Sequence, residues 1–202
     1  MDLYGGGAKF LTENDVTGGN LNLLVNSLSA DSFSVSEGSI ESLQGAFPNK
    51  NLPIKSNFVI HLWEHQSSFS YTKSIFLTKG IYVLSFLYRF NAMDGQYNEL
   101  IYNFSITGNN QTLGKSFFPG IGDKNMRFGK TVFEVKQDTL FDSLIFSKTD
   151  DYELPGGSIY ITDCKLETGS IATPWSYSLE DLKAEIDQLK QLGKELNIEV
   201  YD

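Results

Sequence analysis

The run His61-Leu62-Trp63-Glu64-His65 holds the densest set of chemically capable side chains in the 202-residue sequence. If this run is extended, His61, Trp63 and His65 share a face, because residues two apart along a strand point the same way. An indole offers a flat apolar surface for the C–H side of a pyranose, and imidazoles can hydrogen-bond the hydroxyls around it. The face therefore reads as a saccharide platform. The plainer reading is a sheet surface covered by a loop or a neighbouring subunit. The two histidines alone cannot share a metal ion, because four strand residues set them roughly 13 Å apart. Arg89 lies on the Val83, Ser85, Leu87 side of its own run, and Asn103 on the Ile101, Ser105 side of the next. With His61 and Trp63 they would line a polar and aromatic concavity. For Arg89, pairing with a surface carboxylate is the alternative.

Catalytic readings fare worse. Cys164 with His61 or His65 would make a Cys–His pair, but no local signature surrounds the cysteine. A small buried hydrophobe is the better reading of Cys164. Serines are plentiful, yet there is no Gly-x-Ser-x-Gly elbow. Glu64, Asp94, Glu99, Glu134 and Asp163 could supply the two carboxyls of a glycosidase, although sequence spacing does not place them across a cleft. The chain reads as a binding protein and not as an enzyme.

The elements that position these residues are strands. Aromatics form 13% of the chain, mostly Phe and Tyr, and suit half-buried pleated surfaces; 18 Gly supply turns. Extended runs are expected at 33–35, 45–47, 58–65, 71–77, 81–90, 99–107, 114–118, 131–135, 143–147 and 158–167, with turn residues between them. Tyr82, Leu84, Phe86, Tyr88 and Phe90 alternate onto one side, as do Phe58, Ile60 and Leu62. Many short strands without intervening helices predict a sandwich or barrel. The loop 117–129 sets Phe117, Phe118, Met126 and Phe128 among glycines, as a binding loop or as pins into the core.

Only the tail changes period. Ser178 and Asp181 stand as a capping box, with Ser178 over the first turn and Asp181 reaching back. Leu179, Leu182, Ile186, Leu189, Leu192 and Leu196 then recur at three- and four-residue steps. A helix of about fourteen residues ending at Gly193 is marginal alone. The sandwich, a partner or sister helices in a coiled coil must cover its stripe.

A net charge of -9 argues against duplex DNA or an anionic membrane as partner. No apolar run is long enough to span a bilayer as a helix, and the N-terminus lacks the features of a secretory signal. The single cysteine leaves no internal disulfide. Residues 1–19 read as a lead-in, 20–177 as the folded domain, and 178–202 as a helix or the start of a further region.

The stretch from Ile159 to Ser176 closes with Lys165-Leu166-Glu167, Gly169 and Ala172-Thr173-Pro174-Trp175-Ser176. This closure resembles the end of carbohydrate-binding-module-like domains in tail and baseplate proteins of phages that infect Gram-positive bacteria. Asn22-Leu23-Leu24-Val25-Asn26-Ser27 and Leu77 to Phe86 resemble the opening and a middle strand of the same domains. The resemblance implies an all-β antiparallel jelly-roll sandwich, here followed by a short C-terminal α-helix. It also implies a non-catalytic role in recognising host cell-wall or surface polysaccharide during adsorption, beside other tail or baseplate proteins. The location would be the virion, assembled in the host cytoplasm. A structural calcium is implied as well, with Asp163, Glu167 and Asn22 or Asn26 near it; the plainer reading of those carboxylates is solvation at the surface. Independently of family, Pro174 cannot continue a ladder, so Trp175 is free to fold back over the sandwich end with its indole N–H near a backbone acceptor.

Overall fold

The computed structural model describes residues 21–43, 54–63, 67–92, 100–120, 125–149, 157–173 and 175–195. Twelve strands, a short 3-10 helix (Ala30–Ser32) and one α-helix are described there: β1 (Phe33–Ser36), β2 (Gly38–Ser42), β3 (Phe58–Leu62), β4 (Ser68–Tyr71), β5 (Ile75–Leu77), β6 (Gly80–Ala92), β7 (Leu100–Gly108), β8 (Gln111–Gly120), β9 (Arg127–Val135), β10 (Thr139–Phe141), β11 (Leu144–Thr149), β12 (Gly157–Thr168) and α1 (Leu179–Glu195). Two five-stranded antiparallel sheets run β1-β4-β11-β7-β8 and β2-β3-β12-β6-β9, and β5 pairs with β10 apart from them. Setting aside β1, β2 and that pair leaves eight strands: β3, β4, β6, β7, β8, β9, β11 and β12. Counted in chain order they run 1-8-3-6 across the second sheet and 2-7-4-5 across the first, which is the jelly-roll order. The expected fold class holds.

Alternation explains the layers. Along β9, Thr131, Phe133 and Val135 are buried while Lys130, Val132 and Glu134 face water. Tyr82, Leu84, Phe86, Tyr88 and Phe90 of β6 meet Phe104, Ile106 and Phe146 of the first sheet in one core. Phe69 and Phe146 lie 4.7 Å apart between ring centroids, near the middle of that core. On the other side of β6, Val83 and Ser85 are buried too. Their neighbours across the ladder are Glu167 and Lys165, to which Thr173 is fastened, so the segment after β12 folds back over this face.

Several expected elements differ. The 71–77 run breaks at Thr72–Ser74, where the chain leaves the first sheet and starts the β5–β10 pair. The 58–65 run ends at Leu62, and 45–47 lies outside the described residues. Strands β2 and β10 were not expected, because neither Gly-Ser-Ile-Glu-Ser nor Thr-Leu-Phe shows a long alternation. Helix α1 runs through Gly193 to Glu195, 17 residues in all. Ser178 Oγ accepts the Asp181 N–H at 3.0 Å, as expected of a cap. The Asp181 carboxylate does not reach back; it accepts the Asn26 N–H at 2.8 and 3.0 Å and so pins the helix to the opening turn. Leu189 and Leu192 remain about half exposed, at 51% and 53%. Trp175 packs edge-on against Tyr177, but its buried indole N–H meets no acceptor among the described residues, contrary to the expectation.

Candidate functional site

The outer face of the second sheet brings the chemistry together. A tight turn at Glu37, with φ of 56°, lets β2 return beside β3, and the Trp63 N–H donates to the Glu37 carbonyl at 3.2 Å. Ser39 thereby stands opposite His61, and His61 opposite Tyr160 of β12. Gly38 permits this approach, since a Cβ there would run into the His61 carbonyl. Tyr160 is in turn opposite Arg89 of β6.

The side chains follow that register. Glu41 Oε1 receives the Ser39 hydroxyl at 2.5 Å and faces His61 Nδ1 at 2.7 Å. The His61 ring stacks on Tyr160 with centroids 4.0 Å apart and meets Trp63 edge-on at 5.8 Å. Arg89 lies with its Cζ 6.0 Å from the Tyr160 ring centre. Below this row, Val59, Leu43 and Met126 form a minor apolar cluster against which Tyr160 and Leu87 pack. That cluster covers one part of the face and leaves Trp63 open, 48% exposed at its edge.

Two ionisable groups in the row are displaced. Burial alone would raise the Glu41 carboxyl, but the hydrogen bonds from Ser39 and His61, with the attraction of His61, hold it below its ordinary 4.5. Burial and the Glu41 charge push the Tyr160 hydroxyl up, against the pull of Arg89. At neutral pH the row thus presents a carboxylate that only accepts, a neutral phenol, and an open indole. A carboxyl held low is a poor proton donor there, whereas a glycosidase acid needs the opposite shift. Because the folded state lowers the Glu41 value, its stabilisation is complete above 4.5 and is lost as pH falls through the folded value. Thermal melts taken from neutral pH down through 4.5 should therefore lose less stability in a Glu41→Gln variant than in the parent chain.

Of the residues singled out in the sequence, His61 and Trp63 touch, and Arg89 joins them through Tyr160. His65 lies outside the described residues. Asn103 does not converge with them, because it belongs to β7 in the opposite sheet, across the core. Ser39, Glu41 and Tyr160 were missed. Tyr160 was legible as the residue between core-facing Ile159 and Ile161, but Ser39 and Glu41 required β2.

The residues proposed for calcium do other work. Asn22 Oδ1 accepts the N–H groups of Leu24 and Leu166 at 3.0 Å each, and its Nδ2 donates to Ser27 and Cys164. Asp163, at φ 53° in the β12 bulge, accepts the N–H groups of Lys55 and Ser56 at 2.8 Å each. Glu167 is fully buried against Lys165 and Thr173. The Asn26 N–H belongs to the helix pin. Among the described residues no three His, Cys, Asp or Glu side chains gather to hold a metal. Nor are these carboxylates solvated, as the plainer reading had it: Asp163 and Glu167 are internal pins. Asp163→Ala should cost about 2–3 kcal/mol in chemical denaturation, for two charge-assisted hydrogen bonds. Cys164 sits in the core with its thiol pushed up by burial and by Asp163, which makes it inert.

No protein-family model matches the sequence, and no curated protein does. Among solved structures, an arabinose-bound GH51 α-L-arabinofuranosidase is similar at 13% identity and a TM-score of 0.54, over 76% of this chain and 27% of that one. The chain thus spans about a quarter of that enzyme. A family 61 carbohydrate-binding module in complex with β-1,4-galactotriose matches at 12% identity and 0.48, over 73% of this chain and 99% of that one. The enzymatically active domain of tailspike protein 4 of bacteriophage CBA120 matches at 11% identity and 0.44, over 74% of this chain and 22% of that one. Carbohydrate-binding modules recur among the neighbours. At such identities the likeness concerns the fold alone, an antiparallel jelly-roll sandwich.

Proposed function

We propose that this chain is a non-catalytic saccharide-binding module whose ligand lies over Trp63 on the outer face of the second sheet. The observation that carries the reading is an open indole held beside an ordered Glu41–His61–Tyr160 row. The free Glu41 oxygen accepts sugar hydroxyls, and the indole takes the apolar face of the ring. Module-like neighbours support saccharide binding in general. The closing motif from Lys165 to Trp175 supports a place on a phage tail or baseplate, where the module assists adsorption to the polysaccharide of a Gram-positive wall. Calorimetric titration with purified wall polysaccharides tests the reading, and the absence of heat at millimolar repeat units would end it.

A second reading, an assembly or spacer domain, is favoured by the exposed Leu189 and Leu192 on α1. There the helix joins copies of the chain. Light scattering decides it: a dimer or trimer that a Leu189→Lys, Leu192→Lys variant converts to monomer supports assembly, and a monomeric parent removes it.

A further inference from the structure

The opposite end of the sandwich holds a cavity of about 560 Å³ where the β7–β8 hairpin meets the ends of β9 and β10. It is separate from the Trp63 face. Glu134, in its wall, pairs with Ile81 at the start of β6, while Arg89 lies eight residues further along that strand, about 26 Å away.

The frame of the cavity is tied together at several points. Asn109 and Asn110 both take positive φ, 47° and 61°, which is the two-residue hairpin turn that matches strand twist. The Asn109 amide donates to the Leu140 carbonyl at 3.0 Å, tying the hairpin to β10. Gly108 presses on Phe141, whose ring a Cβ would strike. Asp138 accepts the Lys79 N–H at 2.7 Å, fixing the loop between β9 and β10.

The side chains in this frame are unspent. Gln111, Thr112, Glu134, Lys136 and Gln137 line the cavity, and none of their side chains hydrogen-bonds another described residue. Two amides and a hydroxyl both donate and accept, and one carboxylate and one ammonium offset each other. An anion would meet Glu134 and a cation Lys136. A neutral polyhydroxylated ligand satisfies all five, and the volume suits one or two sugar units. We propose that this cavity is a second saccharide site, taking a neutral sugar unit by hydrogen bonds in place of stacking.

The full chain carrying Trp63→Ala isolates the cavity from the first site. Amide spectra of this variant, titrated with glucose, galactose, N-acetylglucosamine and their disaccharides, should show saturable shifts at Gln111, Thr112 and Gln137. Adding Gln111→Ala and Gln137→Ala, both exposed and with side chains that bond no described residue, should weaken that binding by about tenfold, the loss of two ordinary hydrogen bonds. Shifts confined to the β3 and β12 face of the parent chain would overturn the cavity site while leaving the Trp63 reading intact. Saturable shifts at the cavity that survive both glutamine replacements would overturn it as well.

Discussion

Replacing Trp63 by alanine should weaken binding of wall polysaccharide by about thirtyfold, some 2 kcal/mol, which is the scale of an anchoring aromatic. Among the described residues the indole is the most exposed ring beside the Glu41–His61–Tyr160 row, so its loss removes the main stacking platform. The unfolding transition should hardly move, because the ring stands at the edge of β3 and the Trp63 N–H bond to Glu37 is made by backbone. Trp63→Phe, which keeps a flat ring, should recover part of the affinity. Trp175→Ala gives the contrast: it removes a ring packed on Tyr177, and should lower stability without changing affinity. Titration calorimetry beside thermal melts reads both quantities. Equal affinity in the parent and in Trp63→Ala would remove the proposed platform.

Lys165→Met should cost about 3–5 kcal/mol of stability, the scale at which a buried ion pair loses one partner. Lys165 Nζ lies 3.0 Å from Glu167 Oε2 and 2.6 Å from Thr173 Oγ1, with both charged side chains sealed from water. Without the ammonium, the Glu167 carboxylate keeps the N–H and hydroxyl of Thr173 but loses its counter-charge in a low-dielectric setting. The segment after β12 should then lift from Val83 and Ser85. Lys165→Met with Glu167→Leu removes both charges and should recover much of the loss, since a buried pair is seldom worth more than well-packed apolar residues. Urea unfolding of the three proteins measures this. A single variant as costly as the double would show that packing, and not the unpaired charge, sets the penalty.

The two-sheet architecture was legible because the long strands alternate cleanly: Tyr82 to Phe90 and Phe58 to Leu62 announce their core sides. Strand order was not, since nothing local in β12 tells it to lie between β3 and β6. The Trp63 face was legible for the same reason as the core, through period two. Glu41 was hidden because Gly38–Ser42 is short and polar, and its pairing with β3 is set by the left-handed Glu37. Asn103 misled because matching faces on two runs do not say that the runs share a sheet. Asp163 and Glu167 looked like hard-cation ligands in sequence, and became internal pins because a bulge and a returning segment supply N–H donors from distant residues. The length of α1 was underestimated because Gly193, near a helix end, costs only about 1 kcal/mol and does not stop it.

The Asn22 N–H donates to the Tyr177 carbonyl at 3.2 Å, and the Leu23 N–H to the Leu166 carbonyl at 2.7 Å. The places where the chain comes into the sandwich and leaves it are therefore stapled side by side. In mechanical terms this is a clasp at the neck of the domain. Tension along the polypeptide meets this short clamp and the Asp181 pin on Asn26 before it reaches the strands beyond Leu166. The clamp should part first under load, while the face around Trp63 keeps its shape.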